Sequence, residues 1–415
     1  MRILLAVYLF VFCVNDSIGA IIEVCSSCKY KSISQAVKNA KAGDIIKIRK
    51  GIYKESGIEI DKPLSVISEE NAVVDGDMKG HIFIISADNV TIKGLTLKNV
   101  PVSYTREFSA VYANGIQHFR FLSNTMDNVF FGYLVEKSHK GIIEGNRIKS
   151  IARDEAGSGN GIHLWHSSEI QIEDNHVSGM RDGIYLEFVS NSSIIRNVCH
   201  DNLRYGLHFM FSNDNEYHYN TFTNNGAGVA VMYSKSILMT NNRFNRNWGP
   251  SSYGLLLKEI TDSVLKNNLI DENTTGILID GSSRIQYNNN DFRRNGVAIQ
   301  FTGASYDNTF ESNNFLHNSF DISYQGRMNN NKFDGNYWSS YSGYDLNRDG
   351  IGDIPYRPVK LFSYITNKTP ESIVLLRSLF IDILNFSEKV SPVFTPDELM
   401  DSFPRMKPLK NDKGK

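Results

Sequence analysis

The sequence predicts an all-β chain, a right-handed parallel β-helix of rungs about 22 residues long, with a short N-terminal capping helix and a C-terminal helical tail. Three observations carry that prediction. A Gly followed by alternating residues recurs as Gly161-IHLW, Gly183-IYLE, Gly206-LHFM, Gly228-VAVM, Gly254-LLLK, Gly276-ILID and Gly296-VAIQ, at steps of 22, 23, 22, 26, 22 and 20. An Asn-x-apolar motif keeps time with it at Asn124, Asn146, Asn175, Asn197, Asn220, Asn242, Asn268, Asn290, Asn313 and Asn331. The competing solenoid, a leucine-rich-repeat horseshoe, needs a Leu-x-x-Leu-x-Leu spacing and a helix per unit, and neither is present.

A unit this short cannot bury its own apolar face, whereas stacked coils cover one another along a continuous axis. Side chains alternate along a strand. Positions +1 and +3 after each Gly, from Ile162/Leu164 to Val297/Ile299, are therefore read as core, and positions +2 and +4 as outward. The Asn column is read as a stacked amide ladder at inward corners, satisfying the backbone groups of the turns.

In chain order, residues 1–20 read as a secretory signal. Arg2 precedes the apolar run Ile3–Val14, and Ser17-Ile18-Gly19-Ala20 supplies a small-residue cleavage site. The run falls short of the ~20 residues of a membrane span; the alternative to a cleaved signal is an uncleaved N-terminal anchor. In an exported chain Cys25 and Cys28 are read as a disulfide or free thiols, or as ligands to a soft metal. Ser32–Ala42 has the apolar spacing of a capping helix (Ile33, Ala36, Val37, Ala40) ended by Gly43, and Gly43–Tyr53 reads as the first rung. The β-helix is assigned to 21–334, an Asp-rich capping module to 335–360, and a helix and tail to 361–415. In that module Asp345, Asn347, Asp349 and Asp353 occupy positions 1, 3, 5 and 9 of a loop with Gly350 at 6 and the Ile351 carbonyl at 7, the pattern of a calcium loop. Tyr356 replaces the bidentate Glu at position 12, so the expectation is a weak structural calcium site. The alternative is an ion-free turn. Glu371–Glu388 reads as a helix with a broad apolar face, packing back on the coil or docking a partner such as a membrane protein. The tail beyond is read as flexible.

Charge is balanced, with 44 Lys+Arg against 45 Asp+Glu, which argues against a nucleic-acid binder. No membrane span is expected once the signal is cleaved. No HExxH, Walker loop or Gly-x-Ser-x-Gly occurs. Glycoside hydrolysis needs two carboxylates ~5–9.5 Å apart, whereas the outward Glu187 and Asp280 fall four rungs apart. Of the polygalacturonase motifs only Arg147-Ile148-Lys149 is represented, so the chain is read as a non-enzyme. The outward columns hold His163, Tyr185 and His208 at +2, and Trp165, Glu187, Met210 and Met232 at +4. Met210 and Met232 stack on adjacent rungs with His208 beside them, a soft-ligand set suited to Cu(I). Glu187 is placed to orient a ligating His. The alternative is a face covered by another segment or a partner.

The signal, the Gly43-Asp-Ile-Ile…Gly51-Ile-Tyr start, Arg181-Asp182-Gly183-IYLE, Tyr205-Gly206-LHFM, Gly228-VAVMY and Asn336-Tyr337-Trp338…Gly343-Tyr344-Asp345-LNRDGIGD-IPYRP together resemble the NosD family, periplasmic β-helix proteins of nitrous oxide reductase maturation. The resemblance spans essentially the whole mature chain. It implies a non-enzymatic periplasmic assembly factor for the reductase's copper–sulfur cluster. Its partners would be an ABC-type ATPase and its membrane subunit, a lipoprotein copper chaperone, and nitrous oxide reductase. On that basis His208, Met210 and Met232 become a transient Cu(I) relay, with His163 and Glu187 as further candidates and Cys25 and Cys28 as weaker ones. The repeat is shared with carbohydrate-active proteins. A secreted carbohydrate-binding or polysaccharide-degrading β-helix using Trp165 and Tyr185 is the competing function.

Overall fold

The computed structural model describes residues 19–325, 327–359, 362, 365, 369–375, 378–390 and 399–410. The expected signal lies outside them except for Gly19 and Ala20. The chain is a right-handed parallel solenoid. Each full rung gives one strand to each of three sheets, of 14, 13 and 12 strands. A representative rung runs through Ile142–Glu144 in the first sheet, Arg147–Lys149 in the second and Ile162–Trp165 in the third, and Gln171–Glu173 then re-enters the first.

Alternation decides what is buried. Ile162, Leu164, Ile184, Leu186, Leu207 and Phe209 are fully buried, as are their counterparts on later rungs. The recurring Gly begins each third-sheet strand because the next rung's backbone passes too close for a side chain: a Cβ at Gly206 would lie 2.8 Å from the Gly228 carbonyl oxygen. The last expected member does not belong to that column. A Cβ at Gly276 would meet Ala298, and Ile277 and Ile279 pair with Ile299 and Phe301. The core pair is therefore Ile299/Phe301, with Val297 only partly buried, and the outward residues are Gln300 and Thr302. The step of 20 among the 22s was the sign of this slip.

Asn124 to Asn313 form the expected ladder, each donating its backbone and side-chain N–H to the next Oδ1, as from Asn175 Nδ2 to Asn197 at 2.9 Å. It continues to Asn336 rather than Asn331, which instead accepts from Asn308 at another corner. A second ladder runs parallel, Asn202–Asn225–Asn247–Asn273–Asn295–Asn318. Its members sit five residues after those of the first, a spacing legible in the sequence but not expected.

Both ends are closed. Helix α1 (Ile33–Asn39) buries Ile33, Ala36 and Val37, and Glu55 accepts bonds from Ser32 Oγ and Ile33 N at its start. A strand at Ile21–Val24 pairs with Ile45–Ile48, one rung earlier than expected. At the other end the tail is docked, not flexible, over 399–410. Asp401, fully buried, accepts from Asn336 N and Nδ2, Trp338 Nε1 and Gly335 N, and the Arg405 Nε donates to the Gly335 carbonyl. The helix expected at 371–388 is two pieces, a 3₁₀ turn Pro370–Leu375 and α2, Leu379–Val390. Ile381 of α2 packs with Phe320 and Phe362, while Val374, Leu379, Phe380, Ile383 and Phe386 remain exposed.

Rung length varies at one corner. Thr96 to Thr125 and Arg147 to His176 are register steps of 29 residues, against 22 from Thr125 to Arg147. The extra residues enter between the second and third sheets, before Ser109 and Ile162.

Candidate functional site

Asp182 opens a third-sheet strand (Asp182–Glu187), and Arg204 immediately precedes the next one, Tyr205–Met210. Asp182 has no exposed side-chain surface. Its Oδ1 accepts from Arg204 Nε at 2.9 Å and its Oδ2 from the other guanidinium arm at 2.5 Å. Burial opposes its charge, yet the hydrogen bonds from Arg204 and His208 hold its pKa down at about 2. An ionised carboxylate is thus fixed at the base of the third sheet's outward face.

His208 uses it. Its Nδ1 lies 3.4 Å from Asp182 Oδ2, while its Nε2 is buried with no partner. A hydrogen bond at Nδ1 places the proton there and leaves the Nε2 lone pair free, the arrangement by which carboxylates orient metal-binding imidazoles. The orienting group is Asp182, not Glu187 as expected. Met210 lies two residues along on the same face, and Met232 and Glu187 are its register partners on the two neighbouring rungs. The Met210 sulfur accepts from Tyr185 Oη at 3.6 Å.

His163 does not join that set. The Tyr185 ring stacks between the two imidazoles, 4.7 Å from His163 and 4.6 Å from His208. A ring's thickness on each side prevents the two histidines from sharing one ion. Both ring nitrogens of His163 and Nδ2 of the neighbouring Asn160 are buried without partners. Burial and the charge of Arg181 push the His163 pKa down to about 3. The +2 column, expected to face solvent, points outward but is covered: His163 and His208 are 6% and 4% exposed. Neighbouring rings lie against them, Phe131 and Tyr185 on His163 and Tyr185 and Tyr205 on His208, and the first extra loop approaches the same face. Glu107, in the first extra loop, lies within electrostatic reach of Arg181, Glu136 and Glu187, and burial raises its pKa. Such loops lack the period of the repeat, so their approach was not readable from it. Asp182 and Arg204 were likewise missed as site residues, although Asp182 begins one third-sheet strand and Arg204 directly precedes the next.

The remaining candidates lie elsewhere. Cys25 and Cys28 are joined in a disulfide at the N-terminal end, so those sulfurs are not free to bind a metal, and roughly seven rungs of ~4.8 Å separate them from His208. In the Asp345–Asp353 loop the oxygens turn onto the loop's own backbone. Asp345 accepts from the Asp349 and Gly350 N–H groups, Asp349 from that of Ile351, and Asp353 from that of Leu346. Among the described residues no three His, Cys, Asp or Glu side chains converge in a metal-binding group. His208 and Met210 share the outward face of one third-sheet strand, and Met232 is the register partner of Met210.

Residues 149–343 match the family model described as "Periplasmic copper-binding protein (NosD)". The chain is 31% identical over 368 residues to the "Probable ABC transporter binding protein NosD" of Stutzerimonas stutzeri, covering 84% of both chains. It is 29% identical over 369 residues to the protein of the same description from Pseudomonas aeruginosa, covering 84% of this chain and 85% of that one. Among solved structures it is similar to a family 28 exopolygalacturonase of Yersinia enterocolitica (TM-score 0.55, 12% identity, 76% and 78% of the two chains). It is also similar to the periplasmic alginate epimerase AlgG (TM-score 0.52, 12% identity, 75% and 83%). At such identities these two establish the shared coil architecture alone.

Proposed function

This chain belongs to the NosD family, and on that premise we propose that it is a non-enzymatic periplasmic accessory protein that works with an ABC-type transporter and carries copper toward nitrous oxide reductase. Copper is cargo, received as Cu(I) from a chaperone and passed on during assembly of the reductase's cluster. One observation supports this above others: the buried His208 Nε2 is left without a partner while its Nδ1 is held by Asp182, beside the paired thioethers of Met210 and Met232. Neutral imidazole and thioether sulfur suit Cu(I) and bind exchangeably. The curated relatives' description as ABC transporter binding proteins supports the transporter as a partner. A structural calcium ion in the Asp345–Asp353 loop belongs to the same proposal, and would require those oxygens to exchange backbone N–H bonds for the ion.

Competition titration of Cu(I) against a chromophoric chelator tests the site. Met210→Ala/Met232→Ala is expected to weaken binding at least tenfold, and Asp182→Asn by about 10–100-fold through the misoriented imidazole. Wild-type affinity in both variants would remove copper from this face.

A second reading is favoured by a different observation. Asn160 Nδ2 and both nitrogens of His163 lie buried and unpaired near Arg181, with Trp165 on the same strand, a polar and aromatic surface suited to an acidic sugar. It sits on an architecture shared with polysaccharide-active proteins. Uronate oligosaccharides bound by wild type and lost in His163→Ala, with copper affinity unchanged in the Met variants, would establish it in place of the relay.

A further inference from the structure

From Ser109–Asn114 to Val297–Thr302, every third-sheet strand is followed by one residue in the left-handed region. Gly281 and Gly303 fill that corner near the C-terminal end, at φ of 60° and 68°, where glycine meets no steric penalty. On the six rungs before them the same corner is held by Lys137, His166, Phe188, Phe211, Tyr233 and Glu259, at φ of 47° to 54°, and four consecutive members of that column carry rings. Bulky side chains adopt this conformation only against a steric penalty. No core burial offsets it, since Phe188 and Phe211 each remain 42% exposed.

His166, Phe188, Phe211 and Tyr233 form a rib. Ring centroids follow at 4.6, 5.2 and 5.1 Å with planes within 16° of parallel. The faces cover one another and only edges reach solvent. A sugar stacks on an open ring face, which an inner ring of this rib does not offer, whereas ring edges pack readily among apolar side chains. The flanks carry three carboxylates, with Lys258 beyond Met232 on one side and Lys235 beside Asp214 on the other. Glu187 precedes Phe188 on one side, and Glu169 and Asp214 lie on the other; among the described residues no Lys or Arg pairs with any of the three. Glu169, Asp214 and Glu216 also line an adjoining groove of about 770 Å³ with Asn191 and a single cation, Lys140.

We propose that this rib and groove are the docking surface for a protein partner whose contact patch is apolar and rimmed by Lys or Arg. Phe211 and Tyr233 each follow one of the paired methionines by one residue, so a seated partner lies over Met210 and Met232. The docking itself holds whether or not those sulfurs carry copper, and it goes beyond the relay reading in that respect.

The test places a photo-crosslinking phenylalanine at position 211 of the intact chain in its own cells, with the exposed Ile52 as the control position. The protein captured at 211 is then produced and its affinity measured against wild type, Phe188→Asn/Phe211→Asn and Glu169→Lys/Asp214→Lys. Asn tolerates the left-handed corner, so the first variant is expected to keep the wild-type melting temperature while losing affinity about tenfold or more. The charge reversal is expected to weaken binding similarly, most at low salt. No adduct at 211, equal capture at 52, or unchanged affinity in both variants would overturn the proposal. So would binding of a chitohexaose probe abolished by the Asn variant, which would assign the rib to glycan.

Discussion

His163 shows how one side chain can tie stability to pH. In the unfolded chain its imidazole takes a proton near 6.5; in the folded protein burial and Arg181 hold that event down to about 3, partly opposed by Asp182. The folded state thus refuses a proton that the unfolded state accepts, so stability falls as pH drops from about 6.5 toward 3. His163→Phe removes this penalty. Relative to wild type the variant should gain about 3 kcal/mol on going from pH 8 to pH 4.5, read from denaturant melts at the two values. A parallel pH response in both proteins would mean that His163 is not held neutral. At this scale the sequence was legible only in part. Alternation placed His208 and Met210 on one face, but the carboxylate that orients His208 comes from the preceding rung, and nothing local to His208 signals it.

Ladders explain why the elements stack at one pitch. Each Asn donates to a carbonyl of the preceding coil and accepts the N–H groups of the Asn one coil earlier, so a buried amide lost in mid-column strands partners on two rungs. The last rung relies on Asp401, which lies 65 residues beyond Asn336 and gathers its N–H groups together with that of Trp338. Asp401→Ala should destabilise the C-terminal rungs by about 3 kcal/mol and shift Trp338 fluorescence to the red at temperatures where far-ultraviolet dichroism is unchanged. A fully cooperative loss of both signals would contradict such local fraying. The Gly and Asn periods made the coil readable because every rung repeats the same close approach. Asp401 was unreadable because it occurs once, on a segment outside the repeat, and Gly296 misled because a glycine happens to sit two residues before the true position.

Across the whole molecule, stability is passed from rung to neighbouring rung, and the surface is free to differ along its length. The paired methionines occupy the middle rungs of one sheet, while α2 projects an apolar face at the C-terminal end, with Phe380 57% and Phe386 69% exposed. No described helix is long and apolar enough to cross a membrane. Phe380→Asp/Phe386→Asp should abolish co-purification with the transporter's membrane subunit while leaving Cu(I) affinity at the wild-type value. Retained co-purification would place the transporter contact elsewhere.

The amide column also has a direction. From Asn124 onward one side-chain N–H of each Asn points to the next amide on the C-terminal side while the other turns back to a carbonyl of the preceding coil, and a carboxylate receives the last of the forward bonds. The column is therefore polarised like a row of aligned magnets with a negative stop at one pole. A duplicated coil would splice seamlessly anywhere between Asn124 and Asn313, because its incoming and outgoing faces match, but could not be appended after Asp401, which has no amide to hand on. Lengthening the protein is thus an interior operation, and the distance from the paired methionines to the tail could be set one coil at a time.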